Sequence, residues 1–214
     1  MKLFRSLKVI VAAGLIVLAG GVKSQSDIPT DTVCAGSNEF YKVIKTPGSS
    51  YHWSISKGGT PIYGVDTKND SVMIEWLNSE VMTEEYVKVV ETNKYGRSGD
   101  TVVLKVIKYP VPTAIISGSD TLFDGNTGTN KIKVDLTGTA PWDIEYNDGT
   151  TDISIKGIES SPFNIETRSL SNPPELHSFT LVSIKNVSGC VGNVSGVAEI
   201  TVSPPIKTSK IFHK

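Results

Sequence analysis

Leu104-Lys-Val-Ile-Lys-Tyr-Pro-Val-Pro112 is the stretch that decides how the chain is organised. It reads as a strand rich in branched and aromatic residues that stops at a proline, because proline fixes φ and cannot donate to a β ladder. The same punctuation returns near the other end, where a strand finishing at Val202 runs into Pro204-Pro205. The end of a β unit is thus written twice. Two β-sandwiches are expected, over residues 28–110 and 112–204, with Pro110-Val-Pro112 as a stiff extended joint and residues 205–214 as a short basic tail.

The remainder of the chain fits that division. Ile132, Val134 and Leu136 alternate with Lys131, Lys133 and Asp135, and Ile153 and Ile155 alternate with Asp152, Ser154 and Lys156. Such alternation sends one set of side chains to a core and the other to water. Phe163 and Ile165, then Ala198, Ile200 and Val202, follow the same rule. Helical periodicity is nearly absent; Asn78 to Glu85 is the best candidate and reads equally as a loop. Turn formers at Lys57-Gly-Gly-Thr-Pro61, Asn93-Lys-Tyr-Gly96 and Asn147-Asp-Gly149 separate the strands. Short strands at this spacing predict an all-β antiparallel sandwich or barrel.

The first residues predict export. Met1-Lys-Leu-Phe-Arg-Ser-Leu-Lys8 is positively charged, Val9 to Ala19 is apolar, and Val22-Lys-Ser24 offers a small residue for cleavage before Gln25. A signal peptide over residues 1–24 is therefore expected. The apolar run is shorter than the roughly 20 residues of a spanning helix, so cleavage is expected over a retained anchor, and with it no membrane span in the mature chain. No cysteine lies at the cut, and no lipid anchor is expected there. The leader carries four of the 21 basic residues and no acid, which leaves 17 against 22 acids, net −5. A mildly acidic product argues against nucleic acid as a partner and against general adhesion to anionic lipid.

Each half holds a tryptophan in a strand setting, Tyr51-His-Trp53-Ser-Ile55 and Ala140-Pro-Trp142-Asp-Ile144. Both are expected to anchor a core, because a buried indole covers more area than other side chains. Together with these, Thr32-Val-Cys-Ala-Gly-Ser37, Val72-Met-Ile-Glu-Trp76, Val89-Val-Glu-Thr-Asn93 and Tyr109-Pro-Val-Pro-Thr113 resemble the PKD-like and immunoglobulin-like repeats of exported Bacteroidota proteins. Leu136-Thr-Gly-Thr-Ala-Pro-Trp142, Tyr146-Asn-Asp-Gly-Thr150, Ser160-Ser-Pro-Phe-Asn-Ile165 and Ser188-Gly-Cys-Val-Gly192 resemble a sister repeat. The resemblance implies two tandem immunoglobulin-like (PKD-like) sandwiches on the periplasmic, outer-membrane or cell-surface side, with an association to gliding or type IX secretion machinery. It implies no particular activity.

The resemblance also sets an expectation for the cysteines. Such repeats pair an early cysteine with a late one, yet the first half keeps only the early Cys34 and the second only the late Cys190, with Phe123 near the early position. If the halves stand end to end, like ends are a domain length apart, several times the roughly 4.4–6.8 Å a disulfide allows between Cα atoms. Buried thiols are the expectation, with a Cys34–Cys190 bridge or an intermolecular one as alternatives in an oxidising compartment.

Motifs for catalysis are sparse. His52, His177 and His213 are scattered, and neither His-x-x-x-His, Cys-x-x-Cys nor Gly-x-Ser-x-Gly occurs. The acids Glu84-Glu85 and Asp148 with Asp152 lack calcium-loop spacing. No enzyme, metal or cofactor is expected. Asp31-Thr32, Asp70-Ser71, Asp100-Thr101 and Asp120-Thr121, each before an apolar residue, resemble O-glycosylation acceptors of Bacteroidota, against ordinary turn chemistry as the alternative. The tail Ile206-Lys-Thr-Ser-Lys-Ile-Phe-His-Lys214 combines Ile211, Phe212 and His213 with three lysines and is a candidate strand for a partner's sheet edge. The expected function is non-enzymatic interaction with an envelope or outer-membrane protein. A carbohydrate-binding module using Tyr63, Trp76 and Tyr86 on a glycan is the alternative, and a β-sandwich hydrolase a remote one.

Overall fold

The computed structural model describes residues 8–9, 28–64, 69–123, 131–167, 170, 175–204 and 208. Every regular element among them is a strand, and none is a helix long and apolar enough to cross a membrane. Contacts divide the chain into two units, Met1–Pro110 and Val111–Lys214. Of the expected signal peptide only Lys8 and Val9 are described; residues 1–7 and 10–24 lie outside the described residues.

Unit 1 contains β1 (Lys8–Val9), β2 (Thr30–Cys34), β3 (Asn38–Lys42), β4 (Ser50–Ile55), β5 (Gly59–Tyr63), β6 (Ser71–Trp76), β7 (Thr83–Thr92) and β8 (Val102–Tyr109). One sheet runs β1-β3-β6-β5 and the other β2-β8-β7-β4. The sheets meet through the alternate residues that face inward: Tyr41 from β3, Trp53 from β4, Val72, Ile74 and Trp76 from β6, Val87 and Val89 from β7, Val106 from β8. The Trp53 indole is buried and its N–H donates to the Asn69 carbonyl at 3.0 Å, so the ring is held as well as packed. Asn78–Met82 forms a loop, and β7 starts at Thr83; the helix considered for Asn78 to Glu85 does not form. The reason is that Glu85 stays in phase with Val87 and Val89 on the core side of a strand.

Unit 2 contains β9 (Thr113–Phe123), β10 (Lys131–Thr137), β11 (Trp142–Asn147), β12 (Asp152–Ile158), β13 (Phe163–Glu166), β14 (Glu175–Asn186) and β15 (Asn193–Ser203). Their order is β12-β11-β14-β15-β9-β10-β13. The long β14 pairs with β11 through one half and β15 through the other, and β9 lies between β15, in parallel, and β10, antiparallel. Wrapped in this way, the strands enclose a core of Ile116, Val134, Ile144, Ile184, Ala198 and Val202 with their neighbours. Trp142 opens β11, one strand in from the β12 edge, and its indole donates to the Thr137 carbonyl at 3.0 Å.

Candidate interaction surfaces

The outward side of the β3-β6-β5 sheet carries an apolar row. Phe40 on β3 and Tyr63 on β5 both stand in register with Met73 on β6, and Met73 lies between the fully buried Val72 and Ile74, so the three share the face turned from the core. The Phe40 and Tyr63 rings approach to 6.2 Å between centroids. Tyr63 is 47% exposed and the adjacent Ile62 49%. Leu77, Val81 and Met82 add exposed apolar side chains on the loop after β6.

Trp76 and Tyr86 do not join that face. Trp76 is fully buried, its indole donating to the Tyr41 hydroxyl at 3.1 Å with the two rings edge to face. Its alternation with Val72 and Ile74 puts it in the core, and burial pushes the Tyr41 phenol far above its ordinary range. Tyr86 belongs to β7 in the opposite sheet, half-buried and 6.0 Å from the Lys88 ammonium. A three-aromatic sugar platform is therefore not assembled. Phe40 and Met73, which no sequence argument singled out, take the places beside Tyr63.

The acids are bound up locally. Glu85 is buried; Ser56 Oγ donates to its carboxylate, Gly58 N–H does so at 3.2 Å and Thr83 Oγ1 at 3.1 Å. Lys108, also buried, donates to the Gly58 carbonyl at 3.1 Å and lies 3.6 Å from Glu85 Oε1. Burial alone would raise the Glu85 carboxyl, but these hydrogen bonds and the Lys108 ammonium more than offset it and hold it below the ordinary carboxylate value. The network ties the β4–β5 turn to β7 and β8. A Cβ at Gly58 would fall 1.8 Å from Glu85 Oε1, so a side chain there would have to displace the carboxylate from this network. Glu84 pairs with Lys105. In unit 2 Asp148 Oδ1 accepts the N–H groups of Thr150 and Thr151 at 3.0 and 2.9 Å, closing a turn, and Asp152 accepts from Asn147 at 2.6 Å. Among the described residues no three His, Cys, Asp or Glu side chains converge as a metal site.

Neither cysteine is a free thiol. Cys34 and Cys190 are both disulfide-bonded, against the expectation of buried thiols. Cys34 belongs to unit 1 and Cys190 to unit 2. Cys34, at the end of β2, is in register with Tyr109, the residue before Pro110. Cys190 lies in the turn between β14 and β15, where Asn193 N–H donates to the Pro112 carbonyl at 3.2 Å and Gly192 packs so closely that a Cβ would meet that oxygen at 1.7 Å. Asn186 Oδ1 accepts from Ser188 and Cys190 N–H and fixes the turn.

Thr32 and Thr101 are exposed, Thr121 is exposed on β9, and Ser71 is half-buried at the start of β6. Asp120 Oδ1 accepts the Thr121 N–H at 2.7 Å within β9, so this site is strand and not the turn considered as the alternative. His52 is exposed on β4 and His177 half-buried on β14. Ile211, Phe212 and His213 lie outside the described residues.

No protein-family model matches the chain, and no curated protein does. Solved structures similar to it include the fibronectin(III)-like modules of Clostridium thermocellum CbhA, at 14% identity and a TM-score of 0.40 over 88% of this chain and 98% of that one. The D00-D0 domain of Intimin is similar at 14% identity and 0.43, over 82% and 98%. Extracellular domains 3–5 of Drosophila OTK are similar at 13% identity and 0.49, over 83% of this chain and 60% of that one. These are likenesses of fold. By the strand orders described above, the chain is an all-β protein of tandem β-sandwich units.

Proposed function

We propose that the chain is a non-enzymatic, exported interaction protein of the bacterial envelope, of the PKD-like Bacteroidota type, that holds an envelope or outer-membrane protein through its sandwiches and its C-terminal tail. The observation that carries this reading is the apolar row of Phe40, Met73 and Tyr63 with the exposed Ile62 beside it, on a sheet whose other outward residues include Glu75 and Lys42. An apolar strip framed by charge on a sheet face is the ordinary form of a protein-binding surface. Export is supported by the leader sequence, and an association with gliding or type IX secretion by the resemblance of the repeats.

The tail supplies the second contact. Ile211 and Phe212 would fill pockets while main-chain bonds extend a partner's sheet, and Lys207, Lys210 and Lys214 favour an acidic partner. Copurification from native envelopes tests it: deletion of residues 206–214 leaves both sandwiches folded and abolishes capture of the partner, whereas unchanged capture by the truncated chain refutes the tail's role. A glycan array tests the carbohydrate alternative, for which the Phe40–Tyr63 pair offers a ring surface to stack on.

A further inference from the structure

The first strand of each sandwich is used differently. In unit 2, Thr113–Ser117 of β9 pairs antiparallel with β10 and brings Ala114 and Ile116 into the core opposite Leu136 and Val134. In unit 1, β2 pairs with β8, and β3, the counterpart of β10, has β6 on one side. Among the described residues its other edge takes only Lys8–Val9, in parallel, with Lys8 in register with Tyr41 and Val9 with Lys42. The edge that unit 2 closes with a five-residue run of its own first strand is closed in unit 1 by two residues from the leader.

The groups on that edge follow from the ladder. Val43 N–H donates to the Asp70 carbonyl at 2.9 Å, one step beyond the Lys42–Ser71 pair. Backbone groups alternate in direction along an antiparallel strand, so Glu39 and Tyr41 also bond toward β6. The N–H and C=O groups of Phe40 and Lys42 face the other edge, the one along which Lys8–Val9 runs. On the outward side, a strand added there continues the row of Phe40, Met73 and Tyr63. On the other side it meets the core beside the buried Tyr41.

We propose that the β3 edge of unit 1 is an acceptor site for an extended strand of a partner polypeptide carrying apolar residues at alternate positions. The choice of occupant rests on two facts: a segment of this chain is seated there as a strand, and the sister unit fills the same edge with the alternating Ala114 and Ile116. The proposal deepens the interaction reading and uses its export step, since leader cleavage removes Lys8–Val9 and leaves the edge unpaired. It is independent of the tail, which would donate a strand where this edge receives one.

The probe is a synthetic peptide of residues 4–12, Phe-Arg-Ser-Leu-Lys-Val-Ile-Val-Ala, added to the exported chain, residues 25–214. The expected result is slowed amide exchange at Phe40 and Lys42, by at least about tenfold at saturation. The position in register with Tyr41 lies on the core-facing side, so a peptide with Lys8→Val binds at least about tenfold tighter. A peptide with Lys8→Pro, which lacks the donor at that register position, does not bind. Unaltered exchange at Phe40 and Lys42, or protection at a different edge such as β4 or β12, overturns the proposal. So does protection of β3 that grows with protein concentration without peptide, which would assign the edge to a second copy. Deleting residues 206–214 leaves peptide capture unchanged, so failure of the tail reading and failure of this one are separate results.

Discussion

Glu85→Gln and Lys108→Met should damage unit 1 unequally, although each removes one partner of the same buried pair. Glu85→Gln leaves the Lys108 ammonium buried with the Gly58 carbonyl as its hydrogen-bond acceptor and no nearby counter-charge in the network. Breaking a buried pair in this way costs about 3–5 kcal/mol, and the surviving bond places the value near the lower end. Lys108→Met leaves the Glu85 carboxylate with its hydrogen bonds from Ser56, Thr83 and Gly58, while the new side chain fills most of the lysine's volume. A cost of about 1–2 kcal/mol is expected. Acid adds an independent signature. Because the carboxyl is held below its unfolded value, the unfolded state binds the proton first as pH falls. The stabilisation is fully present above the unfolded carboxylate value, about 4.3, and is lost as pH drops from there through the lowered one. The gap between wild type and Glu85→Gln should therefore narrow between about pH 5 and pH 3. Urea titrations followed at the Val87 and Val106 amide resonances isolate unit 1 from unit 2. Equal costs for the two variants, or a gap that does not change with pH, would refute the reasoning.

Other substitutions test the packing. Trp53→Ala and Trp76→Ala should each cost about 3–5 kcal/mol in the same titration, since both indoles are buried and hydrogen-bonded, while His52→Ala and Tyr63→Ala stay within about 0.5 kcal/mol. Gly192→Ala should lower the melting temperature of unit 2, because its Cβ would fall 1.7 Å from the Pro112 carbonyl oxygen; a neutral outcome would mean that the turn does not press on the joint. Alkylation of the denatured, unreduced chain should label neither Cys34 nor Cys190, and labelling only after reduction is the matching result. A stoichiometric label without reductant would contradict the oxidised state.

Much of this fold is written in period-two alternation. Ile132, Val134 and Leu136 face the core as their spacing requires, as do Ala198, Ile200 and Val202, and Trp53 anchors its strand. The same rule places Trp76 inside, in phase with Val72 and Ile74. Glu85 and Lys108 were harder to read because both are charged. Yet each keeps the phase of its buried neighbours, Val87 and Val89 in one case and Leu104 and Val106 in the other, and two opposite charges on in-phase core positions are the signal of a buried pair. The apolar row was not legible, because Phe40, Met73 and Tyr63 come from three strands and only the register of β3, β6 and β5 makes them neighbours. The pairing of the β3 edge was hidden for a related reason. Strand pairing depends on which edge the first strand chooses, and β2 takes β8 where β9 takes both β15 and β10.

Site-specific photo-crosslinking in living cells bears most directly on the claim that this chain is an envelope interaction module. With a photoreactive residue at Tyr63, at Phe212, or at the exposed Thr180 of unit 2 as the control, the first two positions should each yield a discrete adduct with an envelope protein, and Thr180 none. Adducts absent from both Tyr63 and Phe212, with the chain exported and folded, would contradict the account.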